Sequence, residues 1–206
     1  MTLKVLGIST SPRPMGNSDL LLRRALEGAE QAGAQVDYLR LCDYRIDGCH
    51  ECYACLRGGT CQVGDDYQRI LDRMLDTDRI IFATPVFFMT VSAQAKLLID
   101  RGQCLWLRKN RLGRPLFEPK RDRRGMIIAV GGSRAKRQFE CVQRPIQSCF
   151  EYLEVDCVSC LFVNQVDEKG AILQHAEALD QALRLGGELA STQSPVPDKP
   201  ARIELL

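Results

Sequence analysis

The chain has 206 residues, 45% hydrophobic and 26% charged, with a formal net charge of +2. That length favours one compact domain with a sizeable core, and so even a charge balance gives no reason to expect nucleic acid or a membrane surface as a partner. No stretch approaches the roughly 20 apolar residues of a membrane-spanning helix. The opening MTLKVLGISTSPRP also holds too few apolar residues for a secretion signal, so a cytoplasmic protein is expected.

Leu3 to Ile8 is the first apolar run and predicts a strand. It ends in the Ser/Pro/Gly-rich loop Ser9 to Gly16, after which Leu20, Leu21, Leu22, Ala25, Leu26 and Ala29 recur at helical spacing. Gly33 ends that helix, and Gln35 to Leu41 predicts a second strand. Beyond a cysteine-rich loop at 48–62, Asp66 to Leu75 predicts a helix. Arg79 to Ala83 predicts a third strand, and a long helix is expected from about Val91 to Leu107. Gly125 to Val130 and Val155 to Val163 predict the fourth and fifth strands, each followed by a helix, at Arg137 to Leu153 and Ala176 to Ala190. Such alternation implies a doubly wound parallel sheet with helices on both faces. Two stretches stand outside it: the basic connection Arg108 to Arg124, expected to be a solvated loop or else an anion-binding patch, and a Pro-rich tail at 191–206 that follows a domain spanning 1–190.

In open α/β sheets ligands bind beyond the carboxyl ends of the strands. The loop after the first strand, STSPRPMGNS at 9–18, offers hydroxyls, Arg13 and free amides at a helix N-terminus, which is what a phosphate requires. It has neither the lysine of a Walker loop nor a G-x-G-x-x-G turn, so a single terminal phosphate fits better than a nucleoside triphosphate or a dinucleotide. Beyond the third strand, Pro85, Val86, Phe87 and Phe88 form an apolar stretch suited either to a flat aromatic ligand or to the core. At the fourth strand end, Gly131 and Gly132 serve either a close ligand approach or a plain turn.

Ten cysteines are many for a reducing compartment, where structural disulfides are rare. Cys49, Cys52, Cys55 and Cys61 fall in one loop as C-x2-C-x2-C-x5-C, open to an iron–sulfur cluster, a zinc site or a set of redox-active thiols. Three consecutive cysteines at two-residue gaps favour iron, because zinc sites more often show two separated C-x2-C pairs. The remaining six cysteines are expected to be small core residues. Cys157 and Cys160 fall on a strand, where residues three apart point to opposite faces, so they are poorly placed to hold one ion. His50 and His175 are expected at the surface, and no general acid or base stands out.

Taken together, GISTSPRPMGNSDLL at 7–21, the cysteine motif at 49–61 and TPVFF-x-x-VSAQ-x-K-x-LIDR at 84–101 resemble the flavodoxin-like NAD(P)H-dependent FMN reductases, specifically their iron–sulfur flavoprotein branch. AVGG at 129–132 and EKGAIL at 168–173 add weaker support. The resemblance implies a five-stranded sheet in the order 2-1-3-4-5 and non-covalent FMN. Its phosphate would lie on Ser9, Ser11, Arg13, Asn17 and Ser18, and its ring against Pro85, Val86, Phe87 and Phe88, with Gly131 and Gly132 at the other edge. It also implies a [4Fe–4S] cluster on Cys49, Cys52, Cys55 and Cys61, and a homodimer or homotetramer. The implied activity passes electrons between ferredoxin or NAD(P)H and a small acceptor. The alternatives are a cluster-free NAD(P)H-dependent FMN or quinone reductase, and a pure electron carrier. Relatives often carry tyrosine where this chain has Phe87, so the hydrogen bond of a phenol is missing there. Because the phosphate loop and the cysteine loop leave adjacent strands at the same end of the sheet, cluster and flavin are expected to be neighbours, within a subunit or across a dimer contact.

Overall fold

A computed structural model describes residues 2–135, 137–191 and 195–205. Its strands are β1 (Lys4–Ser9), β2 (Gln35–Arg40), β3 (Arg79–Pro85), β4 (Arg124–Val130), β5 (Asp156–Val163) and β6 (Ala201–Leu205). All neighbouring pairs are parallel, in the order β2-β1-β3-β4-β5-β6. The helices are α1 (Asn17–Gln31), α2 (Tyr67–Leu75), α3 (Ala93–Arg101), α4 (Gln103–Asn110), α5 (Glu140–Tyr152) and α6 (Ala176–Ser191).

Strand alternation divides the core in two. Ile80, Phe82 and Ile127 face α2, α3, α4 and α5, whereas Ile81, Ala83, Met126 and Ile128 face α1 and α6. The central β3 and β4 are buried almost throughout, as continuous apolar runs in a parallel sheet should be, while β2 and β6 at the edges alternate with solvent. On the second face α1 and α6 touch through glycines: a Cβ on Gly28 would fall 1.9 Å from the Leu183 carbonyl oxygen, and one on Gly186 equally close to that of Ala25. Only a missing side chain permits that approach.

The structure corrects the expected fold in four places. The sheet has six strands rather than five, because ARIEL at 201–205 pairs along β5 from Ser159 to Val163. Three prolines precede it and its outer face is exposed, so nothing local marks it as a strand. Residues 192–194 and 206 of the tail lie outside the described residues. The single helix expected over 91–107 is two: Ser92 caps α3 by accepting the Ala95 N–H, and a tight turn at Gly102 separates α3 from α4.

The basic connection is not simply solvated. Arg123 is fully buried and donates to the carbonyls of Met74, Thr77 and Leu153, closing the ends of α2 and α5, and burial drives its pKa down to about 10. Arg121 pairs with Asp78 at 2.8 Å and Arg124 with Asp122 at 2.8 Å, all at the amino ends of β3 and β4 and far from the ligand end of the sheet.

The last correction concerns Cys157 and Cys160. Across β4 and β5, Gly125 pairs with Cys157 but Met126 pairs with Ser159, so Val158 is an extra residue in a β-bulge. The bulge resets the alternation, and both thiols face α5 with their sulfurs 4.0 Å apart. Among the other cysteines, Cys104 and Cys149 are buried as expected, whereas Cys141 is exposed.

Candidate functional site

Two concavities gather the chemistry-bearing residues. The first is an open cleft of about 480 Å³ beyond the carboxyl ends of β1, β3 and β4. Its floor begins where β1 ends: the Thr10 N–H and hydroxyl both donate to the Ala83 carbonyl, at 2.9 and 3.0 Å, fastening the following loop to β3. The Ser11 hydroxyl then bonds the Arg13 N–H and carbonyl, which turns the chain toward α1. Ser11, Arg13, Asn17 and Ser18 line the cleft together with Pro12 and Gly16. Ser18 is the telling member, since its hydroxyl oxygen is buried beside the N-terminus of α1 and, like that of Ser9 outside the cleft, has no hydrogen-bond partner among the described residues. A buried polar atom left unsatisfied is costly, and here an anion would satisfy it. Arg13 and Lys169 contribute cationic side chains to the same wall.

Not every expected residue reaches this cleft. Ser9 is buried on the α1 face and does not line it. Asn17 lines it, but its carboxamide is already occupied: Oδ1 accepts from the Gly170 N–H at 2.9 Å and Nδ2 donates to the Glu168 carbonyl at 2.9 Å. It clamps the loop after β5 against the phosphate-type loop. Opposite, Pro85, Val86 and Phe87 form an apolar wall with Val130 and Val166, and Gly132 closes the edge beside Asp167 while Gly131 stands behind it. Phe88 projects wholly into solvent at the tip of a two-residue hairpin in which Phe87 and Thr90 exchange both backbone hydrogen bonds. Its two tip residues, Phe88 and Met89, hold φ of 45° and 67°, a left-handed conformation unfavourable for such side chains. Asp167 and Lys169 were not foreseen from the sequence. EKGAIL at 168–173 signalled only Lys169, because the clamp that helps bring both in is made by Asn17 some 150 residues earlier in the chain.

The second concavity, about 450 Å³, is lined by Cys49, Cys52, Cys55 and Cys61 together, with His50, Arg101, Gln103, Cys104 and Leu107 among its other walls. His50 is exposed, at the surface as expected, on the rim of this concavity. The loop reaches this shape through left-handed backbone at Glu51 and Tyr53. Burial pushes the Cys55 thiol up, and nearby Cys61, Cys49 and Cys52 push it the same way. Arg101 is the structural centre of this wall. Its side chain is 1% exposed, donates to Asp65 at 2.5 and 3.1 Å and to the Asp47 carbonyl at 3.0 Å, and lies over the Tyr67 ring. Its Nε–H meets Cys61 Sγ at 3.3 Å. The sulfurs share one concavity, yet among the described residues no group of three or more histidine, cysteine or acidic side chains is gathered closely enough to hold a metal ion.

The concavities flank α3. Its cap residue Ser92 bonds the Thr10 carbonyl at the first cleft, and its last residue Arg101 bonds Cys61 at the second. Nine residues of helix separate those ends by about 13 Å. The sequence had placed both loops at one end of the sheet, but the cysteine loop folds back along the flank of α3 and α4.

Comparison with known proteins agrees with this geometry. The profile of the family described as NADPH-dependent FMN reductase matches residues 3–161. An iron–sulfur flavoprotein of Methanocaldococcus jannaschii is 39% identical over 142 residues, 69% of either chain. One from Methanosarcina thermophila is 33% identical over 153 residues, 74% of either chain. Among solved structures, a flavone reductase superposes with a TM-score of 0.65 at 24% identity, covering 91% of this chain and 62% of its own, a likeness of fold. Among the described residues, no helix is long and apolar enough to cross a membrane.

Proposed function

Since the chain belongs to the NADPH-dependent FMN reductase family, in its iron–sulfur flavoprotein branch, we propose that it is an FMN-dependent oxidoreductase that also carries a [4Fe–4S] cluster. In this reading it passes electrons between ferredoxin or NAD(P)H and a small acceptor. When bound, FMN exchanges electrons in pairs or singly and the cluster moves them one at a time, so a chain with both converts one traffic into the other.

The observation that carries the reading is the convergence of Cys49, Cys52, Cys55 and Cys61 on one concavity whose inner wall is a buried arginine. Thiolates are the ligands such a cluster takes, and Arg101 supplies both positive charge and an N–H to sulfur, the outer-shell contact that orients a ligand. In the first cleft, the unpartnered Ser18 hydroxyl with Ser11, Arg13 and Lys169 suits a phosphate, and Pro85, Val86 and Phe87 with Gly132 suit a flat ring. Asn17 and Ser9 act from behind: the first holds the Glu168–Ile172 loop in place, and the second packs under α1. The family resemblance supports a homodimer or homotetramer with the cluster close to a flavin at the subunit interface.

The test is an optical spectrum of protein purified without oxygen, with iron and acid-labile sulfide assays and NAD(P)H turnover. Flavin bands with stoichiometric iron and sulfide are expected. Flavin without iron leaves the cluster-free FMN or quinone reductase. Both cofactors without NAD(P)H turnover leave the electron carrier. Protein that binds no FMN on reconstitution overturns the reading.

A further inference from the structure

Neither concavity accounts for Cys157 and Cys160. The bulge at Val158 turns both side chains to the α5 face of β5 and sets their sulfurs 4.0 Å apart. The two thiols differ in access, Cys157 being partly exposed and Cys160 fully buried. We propose that Cys157 and Cys160 form a second redox site, a dithiol that closes to a disulfide by exchange with low-molecular-weight disulfides. A strand with regular alternation would forbid this chemistry, since residues three apart would project from opposite faces. A bulge that re-aims one side chain is a specific structural feature, and here what it brings together is two sulfurs.

The division of roles follows from the surroundings. The Cys160 thiol bonds the Cys157 sulfur, and that contact, aided by Gln147, holds the Cys157 pKa below the ordinary thiol value despite burial. The same contact and burial drive Cys160 upward. Cys157 is therefore the attacking thiolate and Cys160 the resolving thiol. In the first step the Cys157 thiolate attacks one sulfur of a small disulfide RSSR, forming a Cys157–SR mixed disulfide and releasing one RS⁻, which takes up a proton. In the second, Cys160 loses its proton and its sulfur displaces the remaining RS⁻. The Cys157–Cys160 bond forms, two RSH leave in all, and the two electrons lost by the protein reduce the small disulfide.

The experiment treats the purified protein with oxidised glutathione, blocks free thiols under denaturing conditions and maps the peptides. The readout needs neither flavin nor cluster. Wild type should lose two blockable thiols, at Cys157 and Cys160, in a linked peptide lighter by two hydrogens, and regain both with dithiothreitol. A Cys160→Ser variant should instead stop at a glutathione adduct on Cys157. The proposal is overturned if wild type keeps both thiols blockable at every glutathione ratio, or if the Cys157 adduct accumulates in wild type without resolving. The wild-type map decides the question even if the serine variant fails to fold.

Discussion

Replacing Asp65 by Asn tests the anchor of the cysteine loop. The Arg101 and Asp65 side chains are 1% and 0% exposed and share two hydrogen bonds. Asp65 also accepts the Asp47 N–H at 2.8 Å and the Tyr67 N–H at 3.0 Å, tying the start of the loop to the start of α2. Asn keeps the shape but leaves a buried guanidinium without its counter-charge, and breaking one partner of a buried pair costs about 3–5 kcal/mol. That corresponds to roughly 100- to 5,000-fold in the folding equilibrium. Urea unfolding at neutral pH, followed by circular dichroism, measures it. The double variant Asp65→Asn/Arg101→Gln should lose less than the sum of the single losses, by at least about 1 kcal/mol. A pH signature accompanies the loss. Burial pushes the Asp65 carboxyl up, but the Arg101 guanidinium and the Asp47 and Tyr67 amides outweigh it and hold the pKa below the ordinary value. Its contribution is thus complete above the unfolded carboxylate range, about pH 4, and is lost as pH falls through the lower folded value. Wild type should lose this increment on acidification and Asp65→Asn should not. An Asp65→Asn variant within about 0.5 kcal/mol of wild type, with additive losses in the double variant, would refute the reasoning.

Ser18→Ala should weaken FMN binding about 10- to 100-fold, the worth of about 1.5–3 kcal/mol for a hydrogen bond to a charged group, measured by flavin fluorescence quenching; unchanged affinity removes Ser18 from the phosphate site. Gly28→Ala should destabilise the fold by about 1–3 kcal/mol or more in urea titration, because its Cβ would fall 1.9 Å from the Leu183 carbonyl oxygen and force α1 from α6. Phe88→Asn with Met89→Gly gives the hairpin tip residues that tolerate its positive φ and should raise stability by about 1–2 kcal/mol, read as a higher urea midpoint. A lower midpoint would mean that the exposed tip contributes packing the φ argument ignores.

Much of the fold was legible because it is locally encoded. The apolar runs of β3 and β4 and the helical spacing of α1 and α6 follow from residue order alone, since burial on both faces of a parallel sheet demands continuous apolar strands. The four clustered cysteines were equally visible, as neighbours in sequence. Long-range partners had no such local signature. The sixth strand depends on β5 offering an open edge to a short exposed segment, and Asp167 and Lys169 are held at the cleft by the carboxamide of Asn17 and by the Val166 N–H bond to the Gly131 carbonyl. Cys157 and Cys160 were misjudged because alternation is a property of an ideal strand, whereas the bulge depends on how β4 and β5 are registered. By itself the sequence determined the layered sheet, the phosphate-type loop and a thiol cluster. Tertiary structure decided which hydroxyls are left without a partner, which arginine faces Cys61 and which thiols meet across a bulge. Burial and hydrogen-bond satisfaction depend on residues brought together from distant parts of the chain.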